Sequence, residues 1–90
     1  QYPNVAPPQI LVTATYPGAS AQTINESVTS LIEEELNGAR HLLYYESQSN
    51  SNGISETYVT FQPGTNPDLA QVDVQNRIKR VEARLPAAVL

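Results

Sequence analysis

Hydrophobic positions along the chain follow two periods. From Gln9 to Tyr16 the β-branched run QILVTATY alternates. Ile10, Val12, Ala14 and Tyr16 fall on one face; Leu11, Thr13 and Thr15 fall on the other, which predicts a strand. Pro17-Gly18 breaks it, and Ser20 is placed to cap a helix whose core stripe is Ala21, Ile24, Val28, Leu31 and Ile32. Glu33 to Glu35 end that helix in solvent, with Asn37-Gly38 as its C-cap. A second strand is predicted over His41 to Ser49 and a third over Ile54 to Phe61, joined by the hairpin chemistry of Asn50-Ser51-Asn52-Gly53. Thr57, Val59 and Phe61 read as the buried face of the third strand, and Leu43, Tyr45 and Ser47 share it if the two strands pair in that register. Glu46, Glu56 and Tyr58 then share the outer face.

The stretch from Thr65 to Pro86 predicts the longest helix. Asn66 caps it, Pro67 occupies the first turn and Pro86 stops it. Asp68 near its start and Arg77, Lys79, Arg80 and Arg84 in its second half match the helix dipole. At about 100° per residue, Ala70, Val74, Ile78, Val81 and Leu85 form a core stripe. Leu69, Val72, Asn76 and Ala83 lie roughly opposite it, where an ordinary surface helix carries charge. Both faces therefore call for a partner.

The element order is β-α-β-β-α, after an extended, proline-bearing lead-in over residues 1–8. Tyr16-Pro17-Gly18-Ala19-Ser20 is echoed by Phe61-Gln62-Pro63-Gly64-Thr65-Asn66, each a strand, an aromatic, Pro-Gly and a helix cap. The fold class is α+β, a ferredoxin-like split β-α-β over residues 9–90 with the last strand missing. A sheet lacking one strand keeps an unpaired edge, so the chain is expected to be a fragment of something larger.

Composition narrows the function. Ninety residues make one small domain. The net charge of −4 argues against nucleic acid or anionic lipid as the default partner. With no Cys, no Met and a single His, thiolate and soft-metal sites are disfavoured, and no cofactor is expected. A ferredoxin-like hydrolase would need a basic residue in the loop after strand one, but that loop is Pro17-Gly18-Ala19-Ser20. One His supports no Ser/His/acid set, and His41 reads as a capping or surface group at a strand entrance. The chain is read as no enzyme.

Several stretches closely resemble one known segment: Gln1-Tyr2-Pro3, Ala6-Pro7-Pro8, Tyr16-Pro17-Gly18-Ala19, Asn37-Gly38, Asn52-Gly53, Thr60-Phe61, Gly64-Thr65, and Ala70-Gln71-Val72 through Val74-Gln75-Asn76. That segment is the first periplasmic porter subdomain of multidrug efflux pumps of the resistance-nodulation-division family, hydrophobe/amphiphile type. The match covers the whole chain. It implies a trimeric, proton-driven drug antiporter of the bacterial inner membrane, with this segment on the periplasmic side after the first membrane span. Implied partners are small amphiphilic drugs or dyes, the other porter subdomains, a periplasmic adaptor and an outer-membrane channel. By resemblance, Asp68, Val72, Asn76, Lys79 and Ala83 face a central pore lined by three copies of the second helix. Thr13, Glu46, Glu56 and Tyr58 are the implied substrate-binding positions. Glu46 and Glu56 depart from the polar, neutral residues expected there. Two carboxylates on neighbouring strands repel unless a cation sits between them; the alternative is a wet surface with screened charges. Two other readings stay open: a free-standing ferredoxin-like ligand-binding module, and a heavy-metal pump subdomain of the same superfamily.

Overall fold

The computed structural model describes residues 6–50 and 52–85. Strands β1 (Gln9–Thr15), β2 (Leu42–Ser49) and β3 (Ile54–Phe61) form an antiparallel sheet in the order β1-β3-β2. Both outer strands run antiparallel to β3, so β1 and β2 are parallel to each other across it. A helical stretch joins them, as a split β-α-β requires. It comprises α1 (Ala21–Ile24), a π-turn (Asn25–Thr29) and α2 (Ser30–Leu36). Helix α3 (Pro67–Glu82) follows β3. The α+β class and the element order are those expected. No fourth strand is present among the described residues.

One core sits between the sheet and the helices. Ala14, Val59 and Phe61 face Ile24, Val28, Ile32 and Leu36 from the first helical stretch and Ala70, Val74 and Val81 from α3. Ile78 and Leu85 pack at its margin, so the α3 stripe is as predicted. The caps also match: Ser20 Oγ accepts from Thr23 N–H at 3.1 Å, and Asn66 Oδ1 accepts from Asp68 and Leu69 N–H at 2.9 and 3.3 Å. The helix ends at Glu82 with Ala83 as C-cap, short of the stop expected at Pro86; Pro86 itself, like Ser51 of the hairpin, lies outside the described residues.

The first helical stretch departs from a plain α period. Ser30 N–H donates to Asn25 O, five residues back, and the Ser30 hydroxyl donates to the Glu26 carbonyl at 2.8 Å. This widened turn brings both Val28 and Thr29 fully into the core. Thr29 is absent from the predicted stripe, as is Leu36, while Ala21 is only half-buried. The buried hydroxyl is accommodated because Thr29 Oγ1 bonds Ser55 Oγ at 2.6 Å and Ser49 Oγ at 3.2 Å, with Ser47 and Thr57 paired alongside at 3.0 Å.

Two further expectations are corrected. Leu43 does not share the buried face. A bulge between Leu42 and Tyr44 turns Leu42 inward and leaves Leu43 half exposed, while Tyr45 and Ser47 stay opposite Val59 and Thr57. Nor are all three glutamates of α2 free: Glu35 is paired and largely covered, and Glu34 is paired while still exposed. Arg80 Nε meets Glu35 Oε1 at 2.8 Å, and Arg84 NH2 meets Glu34 Oε1 at 3.3 Å. The basic half of α3 thus clasps the neighbouring helix as well as serving its own dipole. Asn37 is the C-cap of α2 but stays right-handed, at φ −60° and ψ −21°. Carbonyls on either side of it are taken by Arg77: NH1 donates to Glu35 O at 3.2 Å and NH2 to Gly38 O at 2.8 Å, while Nε pairs with Asp73 at 3.1 Å.

The hairpin depends on Gly53. Its φ is +80°, its N–H donates to Asn50 O at 3.2 Å, and its carbonyl accepts from Tyr16 N–H at 2.6 Å. A Cβ there would collide with the Tyr16 carbonyl oxygen, whereas Gly18, at φ +79°, has open space around it. Gly53→Ala is therefore expected to destabilise by more than Gly18→Ala. The latter bears only the left-handed backbone cost of about 1–2 kcal/mol, and denaturant titration of the two variants tests the order. Arg77→Lys should cost about 1–3 kcal/mol because an ammonium cannot replace the forked bonds. Arg84→Lys, at an exposed pair, should cost under about 0.5 kcal/mol. Equal losses in thermal melts would remove the capping role from Arg77.

Candidate functional site

The helices cover one face of the sheet, and most residues that alternation sends to the other face are exposed or half-buried, Thr60 alone among those described being buried. Register arranges them in cross-strand rows. Leu11, Tyr58 and Glu46 form one row, and Thr13, Glu56 and Gln48 form the next. All four residues expected to touch substrate therefore share this face. Thr13 lies directly opposite Glu56, and Glu46 directly opposite Tyr58. Thr13 and Glu46 are exposed; Glu56 and Tyr58 are half-buried.

The two carboxylates are not opposite each other, as simple neighbouring-strand reasoning suggests. They stand on a diagonal, one row apart, where Cβ atoms are separated by roughly 7 Å. At that spacing and exposure their repulsion is a fraction of that of a directly facing pair. Each carboxylate has a neutral neighbour across the strand, and a cation between them would reach both.

Two members of this face are not singled out by the sequence pattern. Leu11 is 47% exposed and Tyr44 is 51% exposed, and each adjoins Tyr58 or its row. Leu11 is legible in the alternation of β1. Tyr44 is legible in the alternation of β2, two residues before Glu46. Together with Tyr58 they set apolar and aromatic groups among the two carboxylates of this face.

Helix α3 presents the second surface. Asp68, Val72, Asn76, Lys79 and Ala83 are all exposed, and Leu69 beside them is the most exposed large hydrophobic among the described residues, at 68%. This face borders a groove of about 650 Å³ that runs between α3 and the loops around Arg40–His41 and Gln62–Asn66. His41 holds that loop in place: its φ is +63°, and its carbonyl accepts from Gln62 N–H at 2.8 Å. His41 is thus a turn residue beside the groove, close to the capping position expected. Among the described residues no group of acidic or His side chains could hold a metal ion, and no helix is long and apolar enough to cross a membrane.

Comparison with known proteins agrees with the resemblance carried by the residues. The model of the AcrB/AcrD/AcrF family matches residues 1–90. The toluene efflux pump membrane transporter TtgB of Pseudomonas putida is 51% identical over 89 residues, covering 99% of this chain and 8% of that protein. The multidrug resistance protein MdtF of Escherichia coli (strain K12) is 51% identical over 89 residues, covering 99% of this chain and 9% of that protein. The multidrug export protein AcrF of the same Escherichia coli strain is 48% identical over the same length, with the same coverage. The chain thus spans less than a tenth of the length of the relatives it matches. With the family model covering every residue and about half of the positions identical in transporters from two genera, the chain belongs to the AcrB/AcrD/AcrF family.

Proposed function

We propose that this chain is the periplasmic, substrate-binding and pore-lining porter subdomain of a trimeric, proton-driven multidrug efflux transporter of a bacterial inner membrane. Family membership supports transport over catalysis. The observation that carries the subdomain's role is that two surfaces are left bare: the outer sheet face with Thr13, Glu46, Glu56 and Tyr58, and the outer face of α3. The first takes small amphiphilic drugs or dyes in a cleft shared with the other porter subdomains. The second meets its copies around a central pore. No residue here performs chemistry. The proton relay belongs to membrane-spanning helices elsewhere in the transporter, and export is completed with a periplasmic adaptor and an outer-membrane channel.

On this reading Glu46 and Glu56 bias the cleft toward cationic substrates, with the Tyr58 ring available for a cation–π contact. Because one carboxylate is exposed and the other half-buried, the preference is about fivefold, near the top of the range for solvent-accessible ion pairs. Replacing both (Glu46→Gln with Glu56→Gln) in the full transporter should lower resistance to cationic dyes and leave neutral and anionic drugs nearly unchanged. An equal fall for all classes would assign the pair to folding or to the transport cycle, and no change would make them solvated surface charges.

The pore-facing assignment is tested independently. Val72→Cys or Asn76→Cys should crosslink between protomers. Ala70→Cys and Val74→Cys should not, since both residues are buried against their own sheet. Crosslinking from the Val74 side would reverse the two faces of α3.

A further inference from the structure

The chain holds two Asn-Gly dipeptides, Asn37-Gly38 and Asn52-Gly53, and the fold treats them differently. The pairing has a chemistry of its own, because a glycine nitrogen carries no adjacent side chain to hinder its approach to the Asn amide carbon. The peptide between Asn52 and Gly53 is pinned. Gly53 N–H donates to Asn50 O at 3.2 Å, and Gly53 O accepts from Tyr16 N–H at 2.6 Å. Asn52 N–H is held by Asn50 Oδ1 at 2.9 Å, and Gly53 is buried so closely against the Tyr16 carbonyl that no Cβ would fit.

The peptide between Asn37 and Gly38 is not pinned. Asn37 lies just past the last residue of α2, and both it and Gly38 are exposed. Among the described residues nothing accepts from Gly38 N–H and nothing donates to Asn37 O. The bonds around them run from Asn37 N–H to Glu33 O, from Ala39 N–H to Leu36 O and from Arg77 to Gly38 O. Opposed rotation of ψ at Asn37 and φ at Gly38 turns this peptide plane without breaking any of the three. The Arg77 guanidinium also stands beside Gly38, with NH1 3.2 Å from where a Cβ would lie. A cation there favours loss of the proton from the Gly38 nitrogen.

We propose that Asn37 is a site of spontaneous deamidation, with water as co-reactant, and that the fold protects Asn52 from the same reaction. The Gly38 nitrogen gives its proton to solvent and bonds to Asn37 Cγ. The Cγ–Nδ2 bond breaks, ammonia leaves and a succinimide ring closes. Water then adds to one of the two ring carbonyls, and the bond from that carbon to nitrogen opens. Opening at the side-chain carbonyl leaves aspartate, and opening at the backbone carbonyl leaves isoaspartate. Both products gain a carboxylate. Isoaspartate also adds an atom to the backbone between Glu35 O and Gly38 O, the two carbonyls that Arg77 spans. The modification therefore acts on the link between α2 and α3. It rests on this local geometry and is independent of the porter reading.

The experiment ages the full-length transporter in mildly alkaline buffer, either native or unfolded in urea. Digestion and mass spectrometry then read both dipeptides, and an isoaspartate-specific methyltransferase separates the two products. In the native protein Asn37 should convert about tenfold faster than Asn52, the scale of opening a pair of ordinary hydrogen bonds. In urea the two rates should become similar. Native Asn52 converting as fast as Asn37, or Asn37 staying intact while native, overturns the proposal. A gap that persists in urea comes from local sequence and overturns the protection assigned to the fold. The consequence for Arg77 is read by thermal melting. Aged transporter should melt below fresh transporter. Fresh Asn37→Asp, which carries the charge without the added atom, and aged Asn37→Gln, which lacks the reactive spacing, should both melt like fresh protein. If either falls as far as the aged protein, the added backbone atom is not the cause and the effect on the Arg77 link is overturned.

Discussion

Strand β3 is hydrogen-bonded along both edges, to β1 across Ile54–Thr60 and to β2 across Ser55–Phe61. Its inward residues Ser55, Thr57, Val59 and Phe61 are all buried. With backbone groups satisfied on both sides and one face sealed, β3 has no freedom to slip. A shift of one residue would send Val59 and Phe61 to solvent and bring Glu56 and Tyr58 into the core. The same constraint that fixes the core therefore fixes the outer face. Glu56 is opposite Thr13 and Tyr58 is opposite Glu46 because Val59 and Phe61 must be inside.

Around that strand the polar residues of the interior are handled by pairing. The π-turn would leave a carbonyl of Glu26 without its usual partner, and the Ser30 hydroxyl supplies one. The same turn swings Thr29 into the core, where Ser49 and Ser55 from two strands receive it. The hydroxyls at this end thus tie helix to sheet by directional bonds, while Val28, Ile32, Val59 and Phe61 tie them by packing.

Arg77 plays a comparable part between the helices. A single guanidinium bonds the Asp73 carboxylate on its own helix and two carbonyls beyond the middle of α2. With Arg80 and Arg84 reaching Glu35 and Glu34, the two helices are held along their length by groups too short-ranged to tolerate sliding.

Local pattern alone determined the strands, the capped helices, the Asn66-Pro67 start and the two faces of α3, because each depends on neighbours within a few residues. The outer placement of Thr13, Glu46, Glu56 and Tyr58 was legible for the same reason: alternation needs no knowledge of the partner strand. Tertiary structure decided what depends on distant residues. The bulge at Leu43 arises from how β2 must meet β3, which no period within β2 encodes. The role of Arg77 was hidden because its acceptors, Glu35 and Gly38, stand far away along the chain. The diagonal spacing of Glu46 and Glu56, and the groove that sets Arg40 across from α3, likewise exist only once register and helix docking are set. Sequence periodicity records which way a side chain points; only the folded chain records what it meets there.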